Sequence, residues 1–89
     1  MVRIKVTPEQ VRQVSGEFKR ASGDSQQLVA RLQQAVNNLQ PDWEGMTQQK
    51  FYSDFQQWQT SMRNFVELLN SISQQLDAIA ARFEAADKG

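Results

Sequence analysis

The side chains that carry most enzyme chemistry are either missing from this chain or in the wrong environment. The sequence holds no histidine and no cysteine, so it lacks the commonest base near neutral pH, the commonest metal ligand and any thiol nucleophile. Ten carboxylates are present, but none occupies the apolar helix positions described below, where a catalytic pair could be shielded from water. A di-metal helical bundle would need Glu-x-x-His pairs. We therefore predict no catalytic residues, no metal site and no cofactor.

The charge balance argues against partners that bind by electrostatics. Ten basic residues match ten acidic ones, so the chain has no overall field that attracts phosphate backbones or anionic lipid. Lys19, Arg20 and Arg31 do not form a basic stripe. Polar residues interrupt every apolar stretch, so we predict no stable membrane insertion and no nucleic-acid partner. The residues before Thr7 are too few for a secretory leader, and we expect no signal peptide.

The tripeptide Trp43-Glu44-Gly45 is the one short motif whose residue types suggest recognition. Gly45 supplies a residue that can adopt positive φ in a tight reversal. Trp43 offers a large ring at the end of a helical hairpin, where it either caps the core or faces a binding partner. The residues alone leave both roles of Trp43 open.

Two long heptad repeats flank this motif. Small or apolar residues recur at alternating steps of three and four on both sides of it, at Val11, Val14, Phe18, Ala21, Ser25, Leu28, Leu32, Ala35 and Leu39, and then at Phe51, Phe55, Trp58, Met62, Phe65, Leu69, Ile72, Leu76, Ile79 and Phe83. A repeat of 3.5 residues keeps one seam of a helix facing a neighbouring helix. The sequence therefore predicts one all-α domain over 1–89, with helix one at about 8–39, a turn at about 40–46, helix two at about 46–86 and a short polar tail.

Local signals fix the start of helix one and its end. Thr7, Pro8 and Gln10 match a capping box with proline at the first helical position. Pro41 disfavours helical geometry in the residue before it. Helix two begins between Asp42 and Thr47, both of which are plausible caps. If the hairpin is antiparallel, the greater length of helix two predicts that residues after about Asp77 overhang the start of helix one.

The apolar stripe is too wide for two helices alone. Further apolar residues extend it on both flanks, at Val29, Val36, Tyr52, Val66, Leu68 and Ala80. A single hairpin would leave such residues exposed to water, and a single narrow core contributes little stability to a small domain. We therefore expect two antiparallel hairpins to dimerise into an antiparallel four-helix bundle. Small residues in the middle of helix one predict the subunit contact there, at Phe18, Ala21, Ser22, Ser25 and Leu28.

A Trp-x-Gly turn between two heptad helices in a chain of this size resembles the WXG family of type VII (ESX/Yuk-type) secretion substrates. The resemblance implies a Gram-positive source and an antiparallel dimer, either a homodimer or a dimer with a related helical hairpin. It also implies an FtsK-type secretion ATPase as partner, with the protein cytoplasmic before export and secreted or cell-surface afterwards. In that family the turn of one subunit lies beside a C-terminal Tyr-x-x-x-Asp/Glu element of its partner. Here the turn corresponds to Trp43 and Gly45, and the tail to Phe83 and Asp87, with phenylalanine in place of tyrosine.

One rival hypothesis shares this fold. A chaperone-like helical partner that stays inside the cell and binds a larger type VII toxin would have the same hairpin and the same exposed turn. Appearance of the protein in culture medium only when the secretion ATPase is present distinguishes the two.

Overall fold

Two long helices form the structure, a computed structural model that describes residues 6–39 and 46–88. Helix α1 spans Pro8–Leu39 and helix α2 spans Met46–Lys88. They pack against each other along their length as an antiparallel hairpin, which confirms the predicted all-helical hairpin. The molecule measures 66 × 23 × 18 Å. Since 43 residues of α-helix are about 64 Å long at 1.5 Å per residue, α2 alone sets the long dimension.

Helix α1 begins at the predicted capping box. The Thr7 backbone N–H donates to the Gln10 side-chain oxygen at 2.9 Å, and the Gln10 N–H donates to the Thr7 hydroxyl at 3.1 Å. The Val11 N–H then bonds to the Thr7 carbonyl at 3.1 Å. Two backbone donors that have no partner inside the helix are thereby satisfied. At the other end of the chain, α2 continues to Lys88, two residues beyond the predicted end at Ala86.

Most of the seam between the helices lies one residue beyond the predicted line, whereas Val11 and Leu69 lie on it. The residues buried within the hairpin are Val11, Ser15, Ser22, Val36, Leu69, Ser73 and Ala80. Five of them directly follow a predicted seam residue, as Ser22 follows Ala21 and Ala80 follows Ile79. The prediction followed the alternating steps of three and four residues. Four of the seven buried residues, Ser15, Ser22, Ser73 and Ala80, have small side chains, which let two helix backbones approach closely.

The expected overhang after Asp77 is also wrong. Arg12 of α1 bonds to Glu84 of α2, and Ser15 bonds to Asp77, so this part of α2 lies beside the first turns of α1. At the other end, Gln33 pairs with Gln59. Antiparallel helices run past each other residue for residue, so this register places Leu39 level with about Ser53. The additional length of α2 therefore extends beyond the end of α1, on the side of the turn.

Candidate functional site

The contacts between the helices divide the hairpin into two faces. Side chains bridge the helices on one flank, which we call the bridged face: Arg12, Lys19 and Gln33 of α1 meet Glu84, Asp77 and Gln59 of α2. Residues two positions further along a helix lie about 200° around its axis. The flank away from these bridges is therefore the one that carries Val14, Ala21 and Ile79. Phe65 lies on the same flank, because it is six residues after Gln59 and about 240° around the axis from it.

The bridged face carries two ion pairs between the helices. The Arg12 guanidinium contacts the Glu84 carboxylate, with an Nε–Oε1 distance of 3.0 Å. Lys19 Nζ lies 3.1 Å from Asp77 Oδ2. Both pairs are partly exposed to solvent, and pairs of this kind contribute about 0 to 1 kcal/mol each. They set the register of the hairpin more than its stability.

A buried hydrogen-bond network lies directly beneath the Lys19–Asp77 pair. The Ser15 hydroxyl lies 2.6 Å from Asp77 Oδ1, 2.8 Å from the Ser73 hydroxyl and 3.0 Å from the Ser73 carbonyl oxygen. A hydroxyl carries one proton, and its best acceptor here is the carboxylate. Ser15 therefore donates to Asp77. The Ser15 hydroxyl, and then the Lys19 ammonium, hold the pKa of Asp77 below its usual value, because both stabilise the charged form.

The opposite flank exposes large apolar side chains that the hairpin itself does not cover. We call it the apolar face, and its most exposed members are Val14, Leu32, Leu39, Phe65, Leu68, Ile79 and Phe83. Leu68 is 57% exposed and Phe65 is 46% exposed. Scattered apolar residues are normal on a surface, whereas a continuous strip of them marks an interaction site.

A ladder of aromatic rings runs along the start of α2. The rings of Phe51 and Phe55 stack with centroids 5.9 Å apart, and those of Phe55 and Trp58 stack at 5.6 Å. Phe51 also meets Tyr52 edge to face at 5.6 Å. Trp58, which the heptad pattern predicts in the core, is half-buried. The ladder starts where α2 extends beyond α1, so ring-to-ring contacts replace some of the packing that α1 does not supply there.

The described residues form neither a metal-binding cluster nor a membrane-spanning stretch. Within 6–39 and 46–88, no group of three or more acidic side chains is placed to hold a metal ion. None of the described helical residues form a stretch apolar enough to cross a membrane.

Known proteins match the chain over nearly its whole length. The sequence profile of WXG100, described as "Proteins of 100 residues with WXG", matches residues 3–88. The chain belongs to the WXG100 family. This confirms the resemblance drawn from the turn and the heptads.

Relatives of this WXG100 protein include proteins named as extracellular or secreted. It is 31% identical over 88 residues to the type VII secretion system extracellular protein A of Staphylococcus aureus strain USA300, covering 99% of this chain and 91% of the relative. The crystal structure of the secreted protein EsxB from Bacillus anthracis str. Sterne superposes with a TM-score of 0.87 at 38% identity, covering 98% of this chain and 99% of EsxB. EsxA of Geobacillus thermodenitrificans superposes with a TM-score of 0.85 at 33% identity, covering 99% and 95%.

The predicted export residues of this WXG100 chain are only partly described. Trp43 and Gly45 lie outside the described residues, as does the Asp87 side chain. Phe83 is exposed on the apolar face, 40% accessible. Helix α2 runs unbroken from Phe83 through Asp87 to Lys88, so these two positions, four residues apart, lie on one side of the helix.

The residues predicted at the subunit contact take two different positions. Phe18, Ala21, Ser25 and Leu28 are half-buried in the single chain, whereas Ser22 is only 4% exposed. With two helices in the chain, Ser22 can be buried only against α2. It therefore belongs to the seam of its own hairpin and presents little surface to a second copy.

Sequence reasoning missed the network of Ser15, Ser73 and Asp77. A signal for the close helix contact around this network was present, because Ser15 and Ser22 are seven residues apart. Serines at heptad spacing beside an apolar line fit two arrangements. They occur where two helices are in close contact, and they also occur at the solvent-exposed edge of a helix. Nothing in the sequence of either helix alone pairs Ser15 with Ser73.

Proposed function

We propose that this protein is exported by a type VII secretion system as a folded dimer and acts as a secreted substrate or adaptor without catalytic activity. The observation that carries the proposal is the match over nearly the whole chain to proteins named as extracellular or secreted. In this proposal the protein is cytoplasmic before export and lies outside the cell or at its surface afterwards, without a signal peptide.

The apolar face supports the dimer. A compact monomer of 10.2 kDa is expected to expose about 5,300 Å², whereas the hairpin exposes 7178 Å². The difference is larger than the roughly 800 Å² that each partner buries in a standard interface. Apolar residues run from Val14 to Leu39 on α1 and from Phe65 to Phe83 on α2, so one partner of similar length fits. A second copy in antiparallel orientation supplies both halves of a four-helix core. A related helical hairpin is the other candidate partner.

The turn and the tail are the proposed export signal. In an antiparallel dimer, the turn of one subunit approaches the C-terminal end of the partner's α2. Trp43 and Gly45 would then lie near Phe83 and Asp87 of the other copy, and the FtsK-type ATPase would bind the two together. Support comes from the exposed Phe83 ring and from the helical register that holds positions 83 and 87 on one side.

Secretion and stability, measured on the same variants, test this function. The protein is expressed in a bacterium with a type VII system and in the same strain without the secretion ATPase, and it is measured in medium and cells. We expect the wild type in the medium only when the ATPase is present. Trp43→Ala should abolish secretion and leave a folded dimer.

Trp58→Ala is the matched control, because it removes the other indole ring of the chain. It should lower stability, since Trp58 stacks on Phe55, while its folded fraction is still exported. If Trp43→Ala instead lowers the free energy of unfolding by about 3 to 5 kcal/mol, Trp43 serves packing. Normal secretion of a folded Trp43→Ala protein would refute the turn as signal. Retention of the wild type inside ATPase-positive cells would favour the intracellular partner.

A further inference from the structure

The bridged face has a gap in its middle. The α1 side chains that bond to α2 on this face are those of Arg12, Lys19 and Gln33. Lys19 is seven residues after Arg12, and Gln33 is fourteen residues after Lys19. The heptad position between them is Gln26. Among the residues that the structure describes, the Gln26 side chain makes no hydrogen bond to α2. The series of bridges is therefore interrupted at one regular position, midway along the hairpin.

A cleft of about 280 Å³ opens at this gap. It is lined by Gln26, Val29, Gln59, Arg63 and Val66. Val29 and Val66 are half-buried and come from opposite helices, so they form an apolar floor between them. The glutamine amides and the Arg63 guanidinium form the rim. An apolar floor with a few polar groups around it is the usual composition of a binding site.

Arg63 is the only charged residue among those that line the cleft. Within 6–39 and 46–88 it forms no ion pair, although Glu67 lies one turn further along the same helix. In contrast, Arg12 and Lys19 on the same face are both paired with carboxylates of α2. A guanidinium offers several N–H donors in a plane and binds carboxylates most strongly. The charge that would complement this cleft is therefore a carboxylate beside an apolar group.

We propose that this cleft docks a helical segment of another protein, one that presents an acidic side chain one turn away from a branched apolar side chain. The volume is slightly below the roughly 300 to 1,000 Å³ of small-molecule pockets, and it suits two side chains. On a helix, residues four apart have their Cβ atoms about 6 Å apart, so one helix presents both groups to one cleft. The cleft lies away from the apolar face, so this partner is distinct from the second copy of the chain.

The test uses the full chain and a designed helical probe. The probe is an alanine-rich peptide of about 16 residues, long enough to hold helical structure, with Leu and Glu four residues apart. A matched peptide carries Gln in place of Glu. The protein is labelled at its valine methyl groups, and both peptides are titrated by NMR. We expect saturable shifts at Val29 and Val66, little change at Val14, and binding of the Glu peptide about five-fold tighter than the Gln peptide.

Two charge-matched variants locate the effect. Arg63→Gln should abolish the preference for the Glu peptide. Arg31→Gln removes the same charge from an exposed position outside the cleft and should leave the preference intact. Equal binding of the two peptides, or shifts at Val14 without shifts at Val29 and Val66, would overturn the proposal.

A titration with a small carboxylate tests whether the cleft binds a small molecule or a protein segment. If 4-methylpentanoate alone binds as tightly as the Glu peptide, the cleft is a site for a small carboxylate, and the proposed protein partner is wrong. Sedimentation of the same samples measures dimer formation separately from peptide binding. Arg63 lies away from the apolar face, so the dimer should persist in Arg63→Gln whether or not the cleft binds a partner.

Discussion

The two faces of the hairpin use different chemistry for different contacts. On the bridged face, ion pairs and amides connect α1 to α2 of the same chain, above a seam in which Ser15, Ser22 and Ser73 are buried. On the apolar face, larger side chains such as Phe65 and Leu68 are exposed. Small side chains thus make up much of the contact between the two helices, and large ones remain exposed on the opposite flank. The fold within one chain and the proposed dimer therefore depend on separate sets of residues.

The largest effect should follow from placing a charge on the apolar face. Phe65→Glu puts a carboxylate into the proposed dimer contact, where no partner charge is described. An unpaired buried charge costs about 3 to 5 kcal/mol, so the dimer should dissociate at least a hundred-fold more readily. Sedimentation against concentration measures this. Ala30→Glu adds the same charge at an exposed position outside the apolar face and should leave the dimer intact. Equal dissociation in both variants would remove the distinction between the faces.

Two adjacent residues in the middle of α1 belong to different contact surfaces. Ser22 is buried against α2 of its own chain, whereas Ala21 is half-buried toward the apolar face. Ser22→Leu should overpack the hairpin seam and lower the free energy of unfolding by about 1 to 3 kcal/mol. Ala21→Leu should weaken the dimer by a similar amount. Denaturant unfolding at several protein concentrations separates these effects, because only the dimer contact depends on concentration. Identical behaviour of the two variants would mean that one contact surface includes both residues.

A smaller effect concerns Asp77 and acid. Ser15 and Lys19 lower the pKa of Asp77 in the folded chain from its ordinary value of 3.8. The unfolded chain therefore binds a proton at Asp77 more readily than the folded chain does. The resulting stabilisation of the folded state is complete above pH 3.8 and is lost as the pH falls through the folded-state pKa of Asp77. Asp77→Asn should remove this part of the acid dependence. Asp54→Asn is the control, because Asp54 pairs with Lys50 of its own helix. Acid unfolding of the three proteins, followed by circular dichroism, gives the comparison. The same acid profile in wild type and Asp77→Asn would refute the role of this carboxylate.

The smallest effect is expected from the outermost bridge. Arg12→Gln breaks the pair with Glu84, in which both side chains are nearly half exposed. The loss should be about 0.5 kcal/mol at low salt and should vanish in 1 M salt, where exposed charges are screened. Thermal melting at the two salt concentrations measures it. A loss that persists in 1 M salt would show that Arg12 contributes packing through its aliphatic stem.

The heptad pattern predicted the hairpin because two long repeats around a Trp-x-Gly turn admit few other folds. The same pattern misplaced most of the seam between α1 and α2 by one residue, although Val11 and Leu69 lie where it predicted. Neighbouring positions are about 100° apart on a helix, and a helix with two neighbours needs an apolar stripe wide enough for both. The sequence shows the full width of the apolar stripe, but it does not show which edge of the stripe faces which neighbouring helix. Ala21 and Ser22 illustrate this, since both are small and only the structure separates them.

The register and the candidate cleft depend on side chains that lie far apart in the chain. The Ser15–Asp77 hydrogen bond joins residues 62 positions apart, and the cleft places Val29 beside Val66. Neither pairing has a local sequence signal, because either helix would form with the other shifted by one heptad. The polar contacts mark the register that the structure adopts. The predicted overhang at Asp77 was wrong because the additional length of α2 lies mainly on the side of the turn.

The slender shape of the hairpin sets the geometry of any passage through a membrane conduit. Its cross-section is 23 × 18 Å, and its length is 66 Å. Travelling along its own axis, the folded rod needs an opening only about a third as wide as the rod is long. A companion laid alongside the apolar face would widen this profile in one direction and leave the length almost unchanged. A conduit matched to such a pair would therefore have an oblong opening and would admit its cargo only end first.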